Sequence, residues 1–178
     1  LKEEREERRR TLRERCEFAA QLASHDRPVT LWCDFNAEGD LLEKLLPDVV
    51  QVKGSDPDEK REEAYAAFAS GQIRGMISKA KISGFGLNWQ HCAHVITFAS
   101  HSWERYYQLV RRCWRFWQKN EVTVDVISTE GEKYVLDNML RKSENAAKMF
   151  QRLVDLMNDS LSIQRGNSKL EVRIPAWL

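Results

Sequence analysis

The residues best suited to chemistry stand close together between positions 103 and 118. Gln108, Arg112 and Arg115 follow one another at intervals of four and three residues. If the segment is helical, each residue adds about 100°, so the three side chains lie within roughly 60° of one another. Two guanidiniums on one face repel each other unless an anion lies opposite, and their planar shape suits phosphate oxygens. The spacing favours a phosphate-facing site, with a solvated arginine face as the alternative.

An apolar stripe runs along the other side of the same segment. Its members recur at helical spacing and most are aromatic: Trp103, Tyr107, Val110, Trp114 and Trp117. A stripe of this kind usually packs into a core. We therefore expect these side chains to be buried, with an exposed stacking or docking surface as the alternative.

A second group, rich in glycine and polar residues, precedes this segment. Two glycines one residue apart, Gly84 and Gly86, allow the backbone to approach a ligand closely. Asn88 could form a hydrogen bond with a sugar hydroxyl. Donors for phosphate oxygens stand just before the glycines: Ser78, Lys79, Lys81 and Ser83. A tight turn without a ligand would show the same glycine spacing.

The sequence predicts neither a metal site nor a nucleophile beside a base. The run His91-Cys92-Ala93-His94 lacks a second pair of ligands at a zinc-site spacing. There is no G-x-x-x-x-G-K-[ST] loop and no Asp-Glu pair ending an apolar run, the features that hold the phosphates and magnesium of a nucleoside triphosphate. We expect that the chain does not hydrolyse such a nucleotide by itself.

The composition indicates a globular protein with little net charge. Of the 178 residues 42% are hydrophobic, and 28 Lys and Arg stand against 27 Asp and Glu. Five basic residues within 101–120 oppose the single acid Glu104, the pattern of a phosphate-facing patch. No apolar run approaches the about 18 residues of a membrane span, so no membrane partner is expected. Four widely spaced cysteines favour reduced thiols and a cytoplasmic location, and Leu1 in place of Met suggests a piece of a longer protein.

Short apolar runs alternate with helical patterns along the chain. The predicted strands span 29–33, 49–53, 75–78, 95–99 and 122–128, and the predicted helices span 2–24, 38–46, 57–70, 102–117 and most of 130–161. This alternation predicts an α/β fold with a mostly parallel sheet and helices on both faces. We divide the chain into a charged helical arm or linker (1–27, its first half solvated), a folded lobe (28–161) and a tail or edge strand (162–178). Ligands of such sheets bind at the carboxyl ends of the strands.

In this order the motifs resemble those of the second RecA-like lobe of superfamily-two helicases and translocases, above all the Swi/Snf-type group and its phage and bacterial relatives. Residues 81–90 look like motif V, commonly K-A-G-G-V-G-L-N-L, and residues 108–118 look like motif VI, Q-x-x-x-R-x-x-R-x-G-Q. The likeness covers about residues 28–130. Trp117 stands where the family usually has glycine, and Ser83 replaces the first of two glycines.

The resemblance implies a three-layer RecA-like fold, here with an N-terminal helical arm and a long C-terminal helix. It implies that Arg112 and Arg115 are arginine fingers toward the γ-phosphate of ATP and that Gln108 orders the cleft. Gly84, Gly86 and Asn88 would lie against the nucleotide. The nucleic-acid backbone would be approached by Ser78, Lys79, Lys81 and Ser83. ATP and Mg²⁺ would be bound mainly by an N-terminal RecA-like lobe of the same parent protein.

We therefore predict the C-terminal motor lobe of an ATP-dependent DNA helicase or duplex translocase of a bacterial or phage-infected cell. It would be half of an ATP hydrolase and inactive alone. A non-catalytic RecA-like module is the alternative, in which Trp114 and Trp117 or the charged arm dock a protein partner. A lobe of an RNA helicase is a further alternative.

Overall fold

Five parallel strands form the frame of the molecule. The computed structural model describes residues 2–82 and 87–167, with side chains described over 3–82 and 87–157. The strands are β1 (Val29–Trp32), β2 (Val49–Gln51), β3 (Gly75–Ser78), β4 (His94–Phe98) and β5 (Thr123–Ile127). Their order is β2-β3-β1-β4-β5, and every neighbouring pair is parallel. All five predicted strands are confirmed, with ends that differ by at most two residues.

Helices cover both faces of this sheet. The described helices are α1 (Lys2–Arg10), α2 (Leu12–Leu22), α3 (Asn36–Leu45), α4 (Asp58–Ala69), α5 (Trp103–Cys113), a 3-10 turn (Glu130–Glu132) and α6 (Lys133–Asn167). Those that pack on the sheet are α2 and α3 on one face and α4 and α5 on the other. Successive strand residues point to opposite faces. Leu31 therefore packs in one core with Cys16 of α2 and Leu42 of α3, and Trp32 packs in the other with residues of α4 and α5. This confirms the predicted three-layer α/β arrangement.

The chain divides into two units, residues 1–139 and 140–178. The first contains the sheet, and the described part of the second is helical. The long C-terminal helix is confirmed and extends to Asn167, past the predicted end at 161. The predicted edge strand near 170–174 lies outside the described residues, and the domain boundaries after 27 and 161 stay predictions. Among the described helices, none combines the length and apolar character needed to cross a membrane.

The charged N-terminal segment is two helices, and its first half is not simply solvated. Thr11 separates α1 from α2 and donates from Oγ1 to the carbonyl of Glu7 (2.8 Å). Arg8 is only 8% exposed. Its guanidinium pairs with Glu132 at 2.6 Å and donates to the carbonyl of Ala99 at 2.8 Å. The prediction of a solvated arm is wrong at Arg8, because a partner 124 residues away cannot be read from the pattern of α1.

A second buried ion pair ties α2 to α3. Arg15 and Glu38 are 3% and 0% exposed, and Nη1 of Arg15 lies 2.8 Å from Oε1 of Glu38. The other carboxylate oxygen, Oε2, accepts hydrogen bonds from the backbone N–H groups of Asp34 (2.8 Å) and Phe35 (3.0 Å). Both oxygens of Glu38 are thus satisfied away from water, which a buried carboxylate requires.

Neutralising Glu38 should destabilise the protein strongly. We expect Glu38→Gln to lower the free energy of unfolding by about 3 kcal/mol, because Arg15 keeps its charge in a buried site without a counter-charge. Glu17→Gln is the matched control, since the Arg13–Glu17 pair is exposed and should change stability by less than about 1 kcal/mol. Urea unfolding of the three proteins measures both values. Equal effects of the two substitutions would contradict the structural role of Glu38.

A chain of two histidines and a carboxylate joins the turn before β1 to β4 and β5. Nε2 of His25 lies 2.7 Å from Nδ1 of His94, and Nε2 of His94 lies 2.7 Å from Oδ2 of Asp125. Nδ1 of His25 accepts a hydrogen bond from the backbone N–H of Arg27 (3.2 Å). If both rings are neutral and each carries its proton on Nε2, every hydrogen bond of this chain has one donor and one acceptor. A further proton on His25 would face the Arg27 N–H. Burial, followed by the neighbouring His94, Arg27 and Arg74, lowers the pKa of His25.

This histidine chain should make stability depend on pH. Because the pKa of His25 is lower in the folded state than the about 6.5 of an unfolded histidine, the unfolded chain binds more protons between the two values. The free energy of unfolding therefore falls as the pH drops through this range. We expect a larger loss between pH 7.5 and 5.5 for the unsubstituted chain than for His25→Gln, measured by urea unfolding. Equal losses would show that His25 does not titrate in this way.

Candidate functional site

The helix that carries the predicted arginines is shorter than the sequence indicates. Ser102 caps α5, with Oγ accepting a hydrogen bond from the backbone N–H of Arg105 (3.2 Å). The helix ends at Cys113, whereas the predicted one extends to 117. Gln118 stabilises the turn that follows, because its Nε2 donates to the carbonyls of Cys92 (3.1 Å) and Cys113 (3.0 Å). The sequence did not predict this role of Gln118, although the residue ends the motif VI pattern.

The predicted single face of Gln108, Arg112 and Arg115 does not form, because Arg115 lies beyond the helix end. Gln108 is exposed, and so is Arg115, whose Nε donates to the carbonyl of Arg111 at 3.1 Å. Arg112 is buried with its Cζ 5.3 Å from the ring centre of Trp32. Burial lowers the pKa of Arg112, although a guanidinium remains charged in proteins. The roles of the three residues stay predictions.

An open groove of about 950 Å³ lies beside the exposed side of α5. It brings together three of the predicted site residues, Asn88, Gln108 and Arg115. Arg112 is not in its wall. We call this groove the α5 groove. Its remaining lining residues are Gln90, Tyr107, Arg111, Trp114, Phe116 and Trp117.

The predicted aromatic stripe is mostly exposed, so the expected core packing is wrong for three of its five residues. Trp114 and Trp117 are 55% and 77% exposed, and Tyr107 is also exposed. The buried side of α5 consists instead of Leu109, Arg112 and Cys113. A signal for this was present in the sequence, since Leu109 and Cys113 are apolar residues four positions apart and so share a helix face.

Among the predicted nucleic-acid residues, Ser78 ends β3 and Lys79 and Lys81 follow it, and these three are not among the residues that line the α5 groove. Ser78 is buried, and its Oγ donates to the carbonyl of Val52 at 3.4 Å. Lys79 is half-buried and Lys81 is exposed. Ser83, Gly84 and Gly86 lie outside the described residues. These assignments all stay predictions. Within the described parts of the chain, no group of three or more His, Cys, Asp or Glu residues could hold a metal ion.

Trp117 has a left-handed backbone, with φ of +76°. The resemblance places a glycine here, and a side chain at positive φ costs about 1–2 kcal/mol. Trp117→Gly should therefore raise the free energy of unfolding by about 1 kcal/mol, the relief of strain exceeding the greater freedom of glycine in the unfolded chain. Trp117→Ala is the control, because alanine loses the indole but keeps the strained backbone. An alanine variant as stable as the glycine variant would contradict the strain argument.

Two solved structures share this fold. A crystal structure of the C-terminal part of the Fun30 ATPase domain has a TM-score of 0.57 and 23% sequence identity, over 64% of this chain. The chain spans only 39% of that structure. The S. cerevisiae Dbp5 C-terminal domain, bound to Gle1 and IP6, has a TM-score of 0.63 and 10% identity, over 75% of this chain and 80% of its own. At these identities the likeness shows the RecA-like fold.

The sequence itself supplies the evidence for a family. No curated protein matches it, but residues 11–116 match the helicase conserved C-terminal domain. This segment includes the described strands β1 to β4, all of α5 and the predicted arginines. The matched segment accounts for more than half of the 178 residues. The chain therefore belongs to the family of helicase conserved C-terminal domains.

Proposed function

We propose that the chain is the C-terminal motor lobe of an ATP-dependent DNA helicase or duplex translocase. The observation that carries this proposal is the family match over 11–116, which includes the arginine segment. Three residues assigned from the resemblance, Asn88, Gln108 and Arg115, line the α5 groove. An N-terminal RecA-like lobe of the parent protein would complete the ATP site. DNA rather than RNA is inferred from the motif V likeness alone.

The residues of the groove suit the phosphates of ATP. Arg115 is exposed and forms no ion pair with a described residue, so its charge is available for a phosphate. In the closed motor Arg115 would stabilise the negative charge that develops on the γ-phosphate, an effect worth about 10³–10⁵ in rate for an arginine finger. Gln108 would orient polar groups in the same cleft, and Gly84, Gly86 and Asn88 would lie against the nucleotide.

Arg112 does not line the groove, so its role in the ATP site would differ from that of Arg115. It is buried against Trp32, and its backbone carbonyl accepts a hydrogen bond from the N–H of Trp89 at 2.9 Å. We propose that lobe closure draws its guanidinium toward the nucleotide. By the resemblance to the family, the ligands of Mg²⁺ would belong to the N-terminal lobe. The metal would neutralise phosphate charge there.

The nucleic-acid contacts are proposed for the carboxyl end of β3. Lys79 and Lys81 follow this strand at the edge of the sheet where parallel sheets bind ligands. Their charges, with the hydroxyl of Ser83, suit phosphate oxygens and would give binding that does not depend on sequence and weakens with salt. Ser78 would contribute by fixing the end of β3 directly before Lys79, since its buried hydroxyl donates to the carbonyl of Val52. Competition between DNA and RNA duplexes would distinguish a DNA motor from an RNA helicase.

The exposed rings of Trp114 and Trp117 favour a second candidate function. In it the chain is a non-catalytic RecA-like module that docks a protein partner. The two candidate functions predict different sequences upstream of the Leu1 codon in the same reading frame. A G-x-x-x-x-G-K-[ST] loop and an Asp-Glu box encoded there support the motor. A start codon without such a lobe supports the docking module.

Arg115→Ala in the parent protein should lower kcat for DNA-stimulated ATP hydrolysis by about 10³-fold or more, because the finger charge is lost from the transition state. Arg112→Ala should have a similar effect, and its urea unfolding shows whether loss of the buried side chain also impairs folding. Arg13→Ala, an exposed arginine of α2, is the control and should leave hydrolysis unchanged. The 178-residue chain alone should not hydrolyse ATP. Near-normal hydrolysis by Arg115→Ala would refute its catalytic role.

A further inference from the structure

A second, smaller pocket lies between α1 and the start of α3, and we call it the α1 pocket. Its volume is about 350 Å³, within the range of about 300–1,000 Å³ that is typical of ligand pockets. Three arginines of α1 and three apolar residues line it: Arg5, Arg8, Arg9, Leu12, Phe35 and Ala37. None of them belongs to the residues proposed for ATP or for nucleic acid, so the pocket needs an explanation of its own.

The apolar side of the α1 pocket is held in place before any ligand binds. Leu12 packs against the hydrophobic core between α2, α3 and the sheet. The backbone N–H of Phe35 donates to the buried carboxylate of Glu38 at 3.0 Å, and the Phe35 ring, 39% exposed, has its centre 5.9 Å from Cζ of Arg8. An apolar side chain that enters the pocket therefore leaves water without having to order much of the protein.

Two of the three arginines have charges available for a ligand. Arg8 is committed to Glu132 and Asp34. Arg5 and Arg9 are exposed, and neither side chain forms a hydrogen bond or ion pair with another described residue. They stand four residues apart on one face of α1, where like charges destabilise a helix unless an anion lies opposite.

The acidic residues of α1 do not neutralise this face. The helix carries four glutamates, and none of the described residues that line the pocket is acidic: Glu3, Glu4, Glu6 and Glu7 are all absent from its wall. Glu4 pairs with Arg8 and Glu7 with Arg10. The α1 pocket thus combines an apolar interior with two guanidiniums, whose forked shape suits carboxylates.

We infer that the α1 pocket binds a segment of a protein partner in which an apolar side chain is flanked by Asp or Glu residues. The apolar side chain would contact Leu12 and Phe35, and the carboxylates would pair with Arg5 and Arg9. A nucleic-acid strand fits this surface less well, because its phosphates leave the apolar side unfilled and because a chain charged at every residue meets the exposed Glu6 of the same helix.

The inference goes beyond the proposed motor function. The arginines of the pocket precede residues 11–116, the segment that matches the helicase family, so the family match does not account for them. The inference gives a place and a chemistry to the docking that the charged arm is expected to perform in the alternative to the motor lobe. It applies equally to a motor lobe and does not depend on ATP hydrolysis.

The test measures binding of the 178-residue chain to a fluorescein-labelled peptide with the core Glu-Asp-Leu-Glu-Asp, by fluorescence anisotropy. A second probe has Phe in place of the central Leu. One comparison peptide has Ala at the centre and the same charge, and another keeps Leu but has Gln and Asn in place of the acids. We expect the better of the two probes to bind at least about tenfold more tightly than either comparison peptide, because only the probes use both parts of the pocket.

Substitutions in the pocket separate its parts. Arg5→Gln and Arg9→Gln should each weaken probe binding about tenfold, because each removes one charged partner of the carboxylates. Ala37→Glu should weaken it more, since it adds a carboxylate to the pocket, and an acid in the first turn of α3 is compatible with the helix. Arg10→Gln is the matched control, an exposed arginine of α1 that pairs with Glu7 outside the pocket, and should leave binding unchanged.

Several outcomes would overturn the inference. They are equal binding of the Leu- and Ala-centred peptides, full binding by both arginine variants, and no binding of either probe at chain concentrations up to about 1 mM. Displacement of the probe by oligothymidine, with loss of oligothymidine binding in Arg9→Gln, would instead identify a nucleic-acid surface. If Ala37→Glu fails to fold, the two glutamine variants at exposed positions decide the test. None of these results bears on ATP hydrolysis by Arg115→Ala, so failure here is distinguishable from failure of the motor function.

Discussion

Two buried arginines hold together parts of the chain that the sheet alone does not connect. Arg8 links α1 to the 3-10 turn after β5 through Glu132, and to the residues after β1 and β4 through Asp34 and the carbonyl of Ala99. Arg15 links α2 to the first turn of α3 through Glu38. A charge buried in this way is stable only while each partner is in place. The network therefore couples the N-terminal helices to the carboxyl ends of the strands.

The same edge of the sheet carries the candidate chemistry. Asp34 follows β1, Lys79 follows β3, and the residues before α5 follow β4. Arg105 of α5 pairs with Asp34 at 2.6 Å, on the carboxylate that also contacts Arg8. The first turn of the arginine-bearing helix is thus attached to the ionic network at one end, and Gln118 holds the turn beyond its other end. Both ends of the segment that carries Arg112 and Arg115 are fixed.

The turn after α5 explains why the two arginines differ. Because the helix stops at Cys113, Arg112 stays in the packed side of the helix while Arg115 emerges into the groove. Trp117 takes a left-handed conformation that a glycine would adopt freely. The large side chain at this position adds an exposed ring beside Arg115 and Phe116. A departure from the family pattern thus coincides with the exposed rings that line the α5 groove.

Several properties could be predicted from the sequence by itself. Alternating apolar runs and helical patterns were sufficient for five parallel strands and helices on both faces, because burial on both sides of a parallel sheet leaves a local signal. Motif spacing identified the helicase C-terminal family, and it selected Asn88, Gln108 and Arg115, which line one groove in the structure. Local pattern did not determine the end of α5, the exposure of its aromatic stripe or the burial of Arg8 and Arg112. Those depended on Gln118, Glu132 and Trp32, partners that only the tertiary structure brings close, because hydrogen bonds and ion pairs between distant residues leave no periodicity in the chain.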